Sequence, residues 1–486
     1  MRPTRPRVVT LVVVVAVLLG SCTAGPDGTG ADVPPRLRTP AAAVDVVDVA
    51  TPASAAVGVS RRLFASADVV VVAPADDPAA QRLAAEAATT PGAPMFLPGP
   101  AVADEVARLG ARTVLAVGTD LEVPGARRVE ATPAAVDAAV EDLPREAVDP
   151  RDVVVLTRAP GPNLAAVTTA RSAGATVLAV PSADPRSEAQ VAEVLRERPD
   201  AAVIGLGRPF RHGLAYQVMA VREGLEQPGG GLLALPGRHV VALYGHPGTP
   251  ALLGEQGVSA TVARAERVAD RYRALTDEPV VAALEVIATV ASASKGRDGD
   301  YSAETDVKEL LPLVRAAGRA GQYVVLDLQP GRTDFLTQAK RYRSLLALPH
   351  VGLALDPEWR LRRDQRHLRQ IGSVSASEVN ETSACLARLT RQERLPQKLF
   401  VVHRFASGMV RDRDALVTTH PELATVIHVD GQGTPAAKQG TWATIRRGAP
   451  AGVHWGWKNF HDEDEPMLTA RQTWRVEPRP DLVTYQ

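Results

Sequence analysis

Residues 351–359 read VGLALDPEW, a small apolar run that ends in two carboxylates and a tryptophan. Seven more segments in the second half of the chain begin apolar and end polar; they are HVVALYGH (239–246), VVAALEVIA (280–288), YVVLDLQ (323–329), GSVSASEVN (372–380), KLFVVHRF (398–405), ATVIHVDGQ (424–432) and GVHWGWKNF (452–460). A (β/α)₈ barrel, or TIM barrel, fills its interior with apolar side chains and carries its chemistry where the parallel strands end. Helix-like segments separate most of these runs, so we predict such a barrel over residues 238–486.

The first half of the chain shows one α/β pattern twice, over residues 55–147 and 148–236. Val-, Ala- and Leu-rich runs alternate there with helix-like segments, which predicts a small parallel α/β unit in each copy. The Gly/Pro-rich stretch GLEQPGGGLLALPG (224–237) marks the boundary with the barrel. The predicted fold class is therefore α/β, with two small parallel units followed by a TIM barrel.

This first half resembles the cell-wall-binding repeat family of Gram-positive surface proteins. The matching segments are VSRRLFASADVVVVA (59–73), GAPMFLPGP (92–100) and ARLGARTVLAVG (107–118). The first copy follows the order of elements in that family, and the second copy keeps the skeleton. Members attach non-covalently to anionic wall polymers. The resemblance thus implies a cell-wall polysaccharide or peptidoglycan as a partner.

The amino-terminal segment, residues 1–22, has the form of a secretory signal, with arginines ahead of a short apolar stretch. Its last residues, LGSC, resemble the bacterial lipobox. That resemblance implies acylation of Cys22 and a lipid anchor on the outer face of the cytoplasmic membrane. An ordinary signal peptide with an accidental cysteine is the alternative. Residues 23–54, which are rich in Gly, Pro, Thr, Asp and Ala, predict a flexible tether.

The charge balance argues against a nucleic-acid partner, because 55 Lys and Arg residues face 55 Asp and Glu residues. The glycines of GLGRPFRHG (205–213) do not have the G-x-G-x-x-G spacing of a dinucleotide site. We therefore expect no cofactor.

The run that ends in Asp356-Pro357-Glu358 predicts the catalytic chemistry. Residues i and i+2 of a strand face the same side, so two carboxylates would repel each other in one barrel mouth. One of them should then have a raised pKa, as acid/base catalysis requires. The DPE segment resembles the Asp-x-Glu motif of some barrel muramidases and related glycosidases. We predict that Glu358 acts with Asp356 or with Glu378 of the next run, as an acid and a carboxylate on a glycosidic bond.

Other polar side chains at the predicted strand ends are expected to position a sugar. They are Tyr244, His246, Glu285, Asp327, Gln329, Trp359, Asn380, His403, Asp430, Trp455 and Trp457. Simpler roles remain open for three of the carboxylates. Asp356 could cap the following helix, Glu358 could be a solvated loop residue, and Glu285 could form a buried ion pair with a barrel arginine.

Two further functions fit the same sequence. The first is a metal-dependent hydrolase, because six residues suffice chemically for a divalent ion: His246, Asp327, Asp356, His403, His428 and Asp430. GHPG (245–248) resembles the start of glycerophosphodiester phosphodiesterase barrels, but the second run lacks the Glu-x-Asp pair of that family. No HxH or HExxH spacing occurs, so the favoured hypothesis, a glycosidase-like hydrolase, has no metal. The other function is a non-catalytic scaffold that binds wall glycan.

Overall fold

The computed structural model describes residues 34–141, 143, 149, 151–249 and 253–486. The predicted signal with Cys22, and residues 23–33 of the predicted tether, lie outside the described residues. Within the described ranges, we find no helix with both the length and the apolar character needed to cross a bilayer.

The first half folds as two parallel four-stranded sheets with helices packed on them, and the short strands Arg36–Leu37 and Phe64–Ser66 form a separate antiparallel pair. Its strands are β1 (Arg36–Leu37), β2 (Val44–Val47), β3 (Phe64–Ser66), β4 (Val69–Val72), β5 (Met95–Phe96), β6 (Thr113–Val117), β7 (Ala126–Val129), β8 (Val153–Thr157), β9 (Thr176–Ala179) and β10 (Ala202–Leu206). Its helices are α1 (Pro52–Leu63), α2 (Pro78–Thr89), α3 (Val102–Leu109), α4 (Pro133–Val140), α5 (Leu164–Ser172), α6 (Ala189–Glu197) and α7 (Leu214–Arg222). The sheet orders are β5-β4-β6-β7 and β2-β10-β8-β9.

Helices α1, α2 and α4 begin in the same way, with a polar cap followed by proline. Thr51, Asp77 and Thr132 each accept a backbone N–H from the first turn. A cap of this kind satisfies a donor that the helix itself leaves free, and proline suits the first helical position because no N–H is needed there.

The second sheet takes one strand from the start of the chain. β2 pairs in parallel with β10, with Val44 opposite Val203, and Val47 is buried. Residues 44–54 are therefore not a tether, because a short Val-rich strand and the start of α1 find partners in the folded core. The two units also share one hydrophobic cluster, and Thr169 Oγ1 of α5 donates to the backbone oxygen of Met95 over 2.8 Å.

The second half contains the predicted barrel. Its strands are β11 (His239–Gly245), β12 (Val280–Ala291), β13 (Ser302–Glu304), β14 (Tyr323–Leu328), β15 (Val351–Leu355), β16 (Val374–Ser375), β17 (Lys398–His403), β18 (Val410–Arg411), β19 (Leu423–Val429), β20 (His454–Asn459) and β21 (Leu482–Tyr485). Its helices are α8 (Val258–Arg273), α9 (Val307–Arg319), α10 (Phe335–Arg341), α11 (Arg343–Leu346), α12 (Ala376–Gln392), α13 (Pro435–Arg446) and α14 (Ala470–Thr473). Eight parallel strands close in the order β11-β12-β14-β15-β17-β19-β20-β21, which confirms the TIM barrel.

One of the eight predicted barrel strands is wrong and another was missed. Residues 372–380 do not join the barrel: Val374–Ser375 pair with β18, and α12 begins at Ala376. The side chain of Ser375 accepts the backbone N–H of Glu378, so SASE (375–378) is a helix start rather than a strand end. The eighth barrel strand is instead β21, a four-residue run, LVTY, at the end of the chain.

Alternation along the barrel strands separates two apolar layers. One face of each strand packs on the helices in a large outer cluster that includes Leu243, Leu326 and Phe400. The other face fills the barrel interior with smaller side chains such as Ala242 and Val325. Residues of the interior face therefore reach the mouth where the strands end.

Candidate functional site

The interior face of the barrel turns from apolar to polar at the carboxyl ends of its strands. Nine side chains there are buried; they are Tyr244, Glu285, Asp327, Asp356, His403, His428, Asp430, Lys458 and Thr484. Because each of the eight strands brings its polar end to one opening, residues far apart in sequence meet there. We call this group, together with Glu358, the mouth cluster.

His403 is at the centre of the mouth cluster. Its Nε2 lies 2.7 Å from Glu285 Oε1, and its Nδ1 lies 3.1 Å from Asp430 Oδ2. Burial lowers the pKa of His403, but the two carboxylates outweigh it and raise the pKa well above the usual value. His428 stacks on it at 4.7 Å, and burial followed by the charge of His403 holds the pKa of His428 well below normal. The site thus contains one charged and one neutral imidazole.

Tyr244, Asp327 and Gln329 form a hydrogen-bonded row beside this pair. The Tyr244 hydroxyl donates to Asp327 Oδ2 over 2.8 Å, and Gln329 Nε2 donates to the hydroxyl oxygen over 3.1 Å. Lys458 Nζ lies 3.5 Å from the centre of the Tyr244 ring. Burial raises the pKa of Asp327 to about 6. At neutral pH this carboxyl is mostly ionised and is held in a fixed orientation.

Asp356 and Glu358 follow β15 directly, and Pro357–Trp359 form a single 3₁₀ turn. Asp356 is buried and Glu358 is partly exposed. Burial, then Glu358 and Asp327, raise the pKa of Asp356 well above its usual range. Burial, then Asp430, raise the pKa of Glu358 to about 7. Both carboxyls therefore hold protons at a pH where exposed carboxyls are ionised.

Several buried polar atoms of the mouth cluster have no hydrogen-bond partner among the described residues. They are Glu285 Oε2, Asp327 Oδ1, Asp356 Oδ1, Asp430 Oδ1 and His428 Nδ1. Buried polar atoms in folded proteins are nearly always paired, since an unpaired one costs about 1–3 kcal/mol. Their convergence at one opening indicates a place made for a polar ligand.

Part of the mouth cluster could also hold a cation. One potential ligand atom from each of Glu285, Asp327 and His403 lies within 4.8 Å of the others. Carboxylate oxygens and imidazole nitrogen together suit a divalent transition metal. An equally compact group, at the base of the loop between β12 and β13, is formed by Asp298, Asp300 and Glu304.

Glu378 and Asn380 lie in α12, away from the mouth cluster. The Glu378 carboxylate accepts two hydrogen bonds from Arg360, of 2.8 and 3.2 Å, and one from the backbone N–H of Phe335. Asn380 Nδ2 donates to the backbone oxygen of Ala415 over 2.8 Å. Their predicted placement at a barrel strand end is wrong, because the segment that carries them is helical.

Trp455 and Trp457 are on the outer face of β20. Both rings pack edge-on against Trp442 of α13, at 5.8 and 5.5 Å, in the layer between barrel and helices. The alternate residues, Gly456 and Lys458, face the interior, where a side chain on Gly456 would collide with His428. The two tryptophans therefore do not line the mouth, in contrast to the prediction that they bind sugar.

His246 and Trp359 lie at the rim rather than in the hydrogen-bonded centre. His246 Nε2 lies 2.9 Å from Thr305 Oγ1, and burial lowers the pKa of His246. The Trp359 ring lies 5.5 Å from that of His367, and its buried Nε1 finds no partner in the described part of the chain.

Three members of the mouth cluster were not assigned a role in the favoured hypothesis. His428 and Lys458 face the interior at positions that follow from strand alternation, which was a usable signal. Thr484, whose Oγ1 lies 3.0 Å from His428 Nε2, belongs to the strand that was missed.

Comparisons with known proteins leave the family open. No family model matches the chain, and no curated protein matches it. Among solved structures, the chain is similar to Cwp6 from Clostridium difficile, with 13% identity and a TM-score of 0.19. The match covers 76% of this chain and 63% of that one, so the chain spans less than two thirds of its length. A likeness this weak carries no argument about fold or function.

Proposed function

We propose that the barrel is a glycosidase-like hydrolase that acts on cell-wall glycan, with Glu358 as its general acid. One observation carries the proposal: Asp356 and Glu358, both with raised pKa, follow one strand into a mouth that also contains carboxylate oxygens without a partner among the described residues. Glycoside hydrolysis needs a protonated carboxyl beside an ionised one.

The roles follow from exposure and charge. Glu358 is the more exposed of the two carboxyls, so its proton can reach a glycosidic oxygen in the opening. Burial raises the pKa of Asp430, but the hydrogen bond with His403 outweighs this and lowers it, so Asp430 is ionised at neutral pH. Ionised Asp430 and Asp327 would stabilise the positive charge that develops on the sugar ring. Neutral Asp356 would donate a hydrogen bond to substrate.

The remaining parts of the chain complete the proposed setting. The two α/β units would hold the protein on a cell-wall polysaccharide or on peptidoglycan. An acylated Cys22 would anchor it to the outer face of the cytoplasmic membrane, which is a second partner. Both ideas come from the sequence resemblances.

A metal-dependent hydrolase is the second candidate, and the compact group of Glu285, Asp327 and His403 favours it. A divalent ion on these three residues would displace the second ring proton of His403 and would supply a Lewis acid or a metal-bound nucleophile. The side chains of this chain would bind the ion and orient the substrate.

The experiment measures glycan fragments released from purified Gram-positive wall material, with mass spectrometry as the readout. The full-length chain carries Cys22→Ser in every sample so that no acyl group contributes. We compare this protein with Glu358→Gln, and each with and without a chelator. Glu463→Gln is the matched control, because Glu463 is an exposed glutamate of the loop after β20.

We expect Glu358→Gln to lower fragment release by about 10²–10⁴-fold, the usual effect of losing a general acid, while Glu463→Gln and the chelator change little. Release that stops on chelation and returns with added metal would favour the metal-dependent hydrolase. Sedimentation of the protein with the wall and no release would contradict catalysis and leave a glycan-binding scaffold.

A further inference from the structure

The loop between β15 and α12 carries an unusual exposed surface. Residues 360–373, which we call the rim loop, read RLRRDQRHLRQIGS and contain one acidic residue, Asp364. Four of its arginines are exposed; they are Arg362, Arg363, Arg366 and Arg369. Leu368 and Ile371 are also exposed, to 85% and 54%. Among the described residues only four large apolar side chains are exposed, and two of them lie in this loop beside its arginines.

The base of the rim loop is held firmly on the barrel. Arg332 donates to the backbone oxygen of Gln365 over 2.8 Å, and His367 Nε2 lies 2.6 Å from the backbone oxygen of Tyr301. The Gly372 N–H donates to the backbone oxygen of Glu358 over 2.7 Å. Leu368 also adopts a left-handed φ of 57°, which is uncommon for leucine. The loop is thus built so that its tip faces outward.

The charge of the rim loop is predominantly positive. None of the four exposed arginines forms an ion pair with any residue that the structure describes. Neighbouring Arg360, by contrast, is occupied by Glu378. Clustered arginines beside aliphatic side chains suit an anionic bilayer, where phosphates meet the charges and the interface takes up leucine and isoleucine. An anionic polysaccharide would satisfy the arginines but would leave Leu368 and Ile371 in water.

We propose that the rim loop binds the surface of an anionic phospholipid bilayer, with Leu368 and Ile371 inserted at the interface and the four arginines on lipid phosphates. The loop begins directly after Glu358 and Trp359, so this contact places the bilayer surface beside one edge of the barrel mouth. The inference rests on the loop alone and is independent of the proposed glycan hydrolysis.

The test is co-sedimentation of the full-length chain, with Cys22→Ser throughout, with phosphatidylcholine vesicles that contain or lack phosphatidylglycerol. One variant removes the apolar contact, Leu368→Ser with Ile371→Ser. A second replaces the four exposed arginines by glutamine. The matched control is Arg267→Gln with Arg271→Gln, two exposed arginines of α8. Circular dichroism melting checks that every variant folds, and soluble dextran sulfate serves as a lipid-free polyanion.

We expect binding to the phosphatidylglycerol vesicles alone, loss of binding in the Leu368/Ile371 variant, and about fivefold weaker partitioning for each arginine removed. The α8 control should bind like the parent protein. No binding of the parent to anionic vesicles would overturn the proposal. So would a Leu368/Ile371 variant that binds vesicles as well as the parent, with dextran sulfate competing fully, since the rim loop would then be a polyanion site.

Discussion

Glu105 in the first half and Glu285 in the barrel are both completely buried glutamates, yet their surroundings differ. Glu105 receives hydrogen bonds from Ser60, Arg61 and Arg108 on both carboxylate oxygens. Glu285 has His403 on one oxygen and no partner among the described residues on the other. The first carboxylate is fully satisfied within the fold, whereas the second has unused bonding capacity.

The surroundings of these buried carboxylates also shift pKa values in opposite directions. Burial raises the pKa of Glu105, but its hydrogen bonds with Arg108, Ser60 and Arg61 outweigh that and lower it, so the ionised form stabilises the fold. In the mouth cluster, burial and neighbouring carboxylates raise the pKa of Asp356 and Glu358 instead. Carboxylates that repel each other cost folding free energy, and such clusters are typical of binding and catalytic sites.

The largest expected effect on stability is that of replacing Glu105, the buried glutamate whose two oxygens are both hydrogen-bonded. Glu105→Ala should lower the free energy of unfolding by about 2–4 kcal/mol, because it removes a buried acceptor and leaves its arginine partners without it. Denaturant unfolding measures this, with Glu86→Ala on the exposed face of α2 as control. A loss no larger than that of the control would mean that the Glu105 network contributes little to the stability of the first half.

The next largest effect is on the pH dependence of folding stability and comes from Glu358. The pKa of Glu358 rises from 4.5 to about 7 in the folded protein, so between these values the native state binds more protons than the unfolded one. The contribution of Glu358 to wild-type stability should therefore fall as pH rises through this range. Glu358→Gln removes that contribution. Its stability relative to wild type should rise by at most about 1.4 kcal/mol per pH unit.

Denaturant unfolding of both proteins at a series of pH values measures this slope. Glu463→Gln is the matched control, because Glu463 is exposed. A stability difference between Glu358→Gln and wild type that does not change with pH would contradict the raised pKa of Glu358 and remove the basis for its role as an acid.

The smallest expected effect is on the stability of the Glu285 variant. Glu285→Gln keeps the shape of the side chain and removes one negative charge from a cluster of five carboxyls. We expect the free energy of unfolding to fall by less than it does for Glu105→Ala, because glutamine keeps an acceptor for His403 and the Asp430 carboxylate still faces the imidazolium. The measurement is the same denaturant unfolding. A loss as large as that of Glu105→Ala would mean that Glu285 stabilises the fold as much as Glu105 does, and the two glutamates would then not differ in this respect.

The barrel could be predicted because its signal is periodic and repeated. Seven of the eight runs predicted as barrel strands do form barrel strands. The predicted residues Glu285, Asp327, Asp356, His403 and Asp430 lie together in the mouth cluster. The prediction of a strand at 372–380 was wrong because small and polar residues alternate there as in a strand, although Ser375 caps a helix. β21 was missed because four residues give too little periodicity to recognise.

The side-chain directions were harder to predict than the strands. Trp455 and Trp457 were expected at the sugar site because of their residue type, but alternation sends them to the helices and sends Lys458 inward. The rim loop illustrates a different limit. Its sequence shows the arginines, but the exposure of Leu368 and Ile371 depends on how the loop is held. The His367 side chain contacts the backbone oxygen of Tyr301 and the Gly372 N–H donates to Glu358, and no local pattern encodes these contacts.

The pairing of β2 with β10 also bears on the order in which the protein is made. β2 leaves the ribosome long before β10, and a complete α/β unit, with the sheet of β4 to β7, is synthesised between them. If that unit folds first, it brings its own ends together, and closing the long connection costs less entropy than a flexible segment of equal length would. The first unit therefore behaves as a folded insertion within the second. Cutting the chain between the two units would separate β2 from the sheet that contains β10.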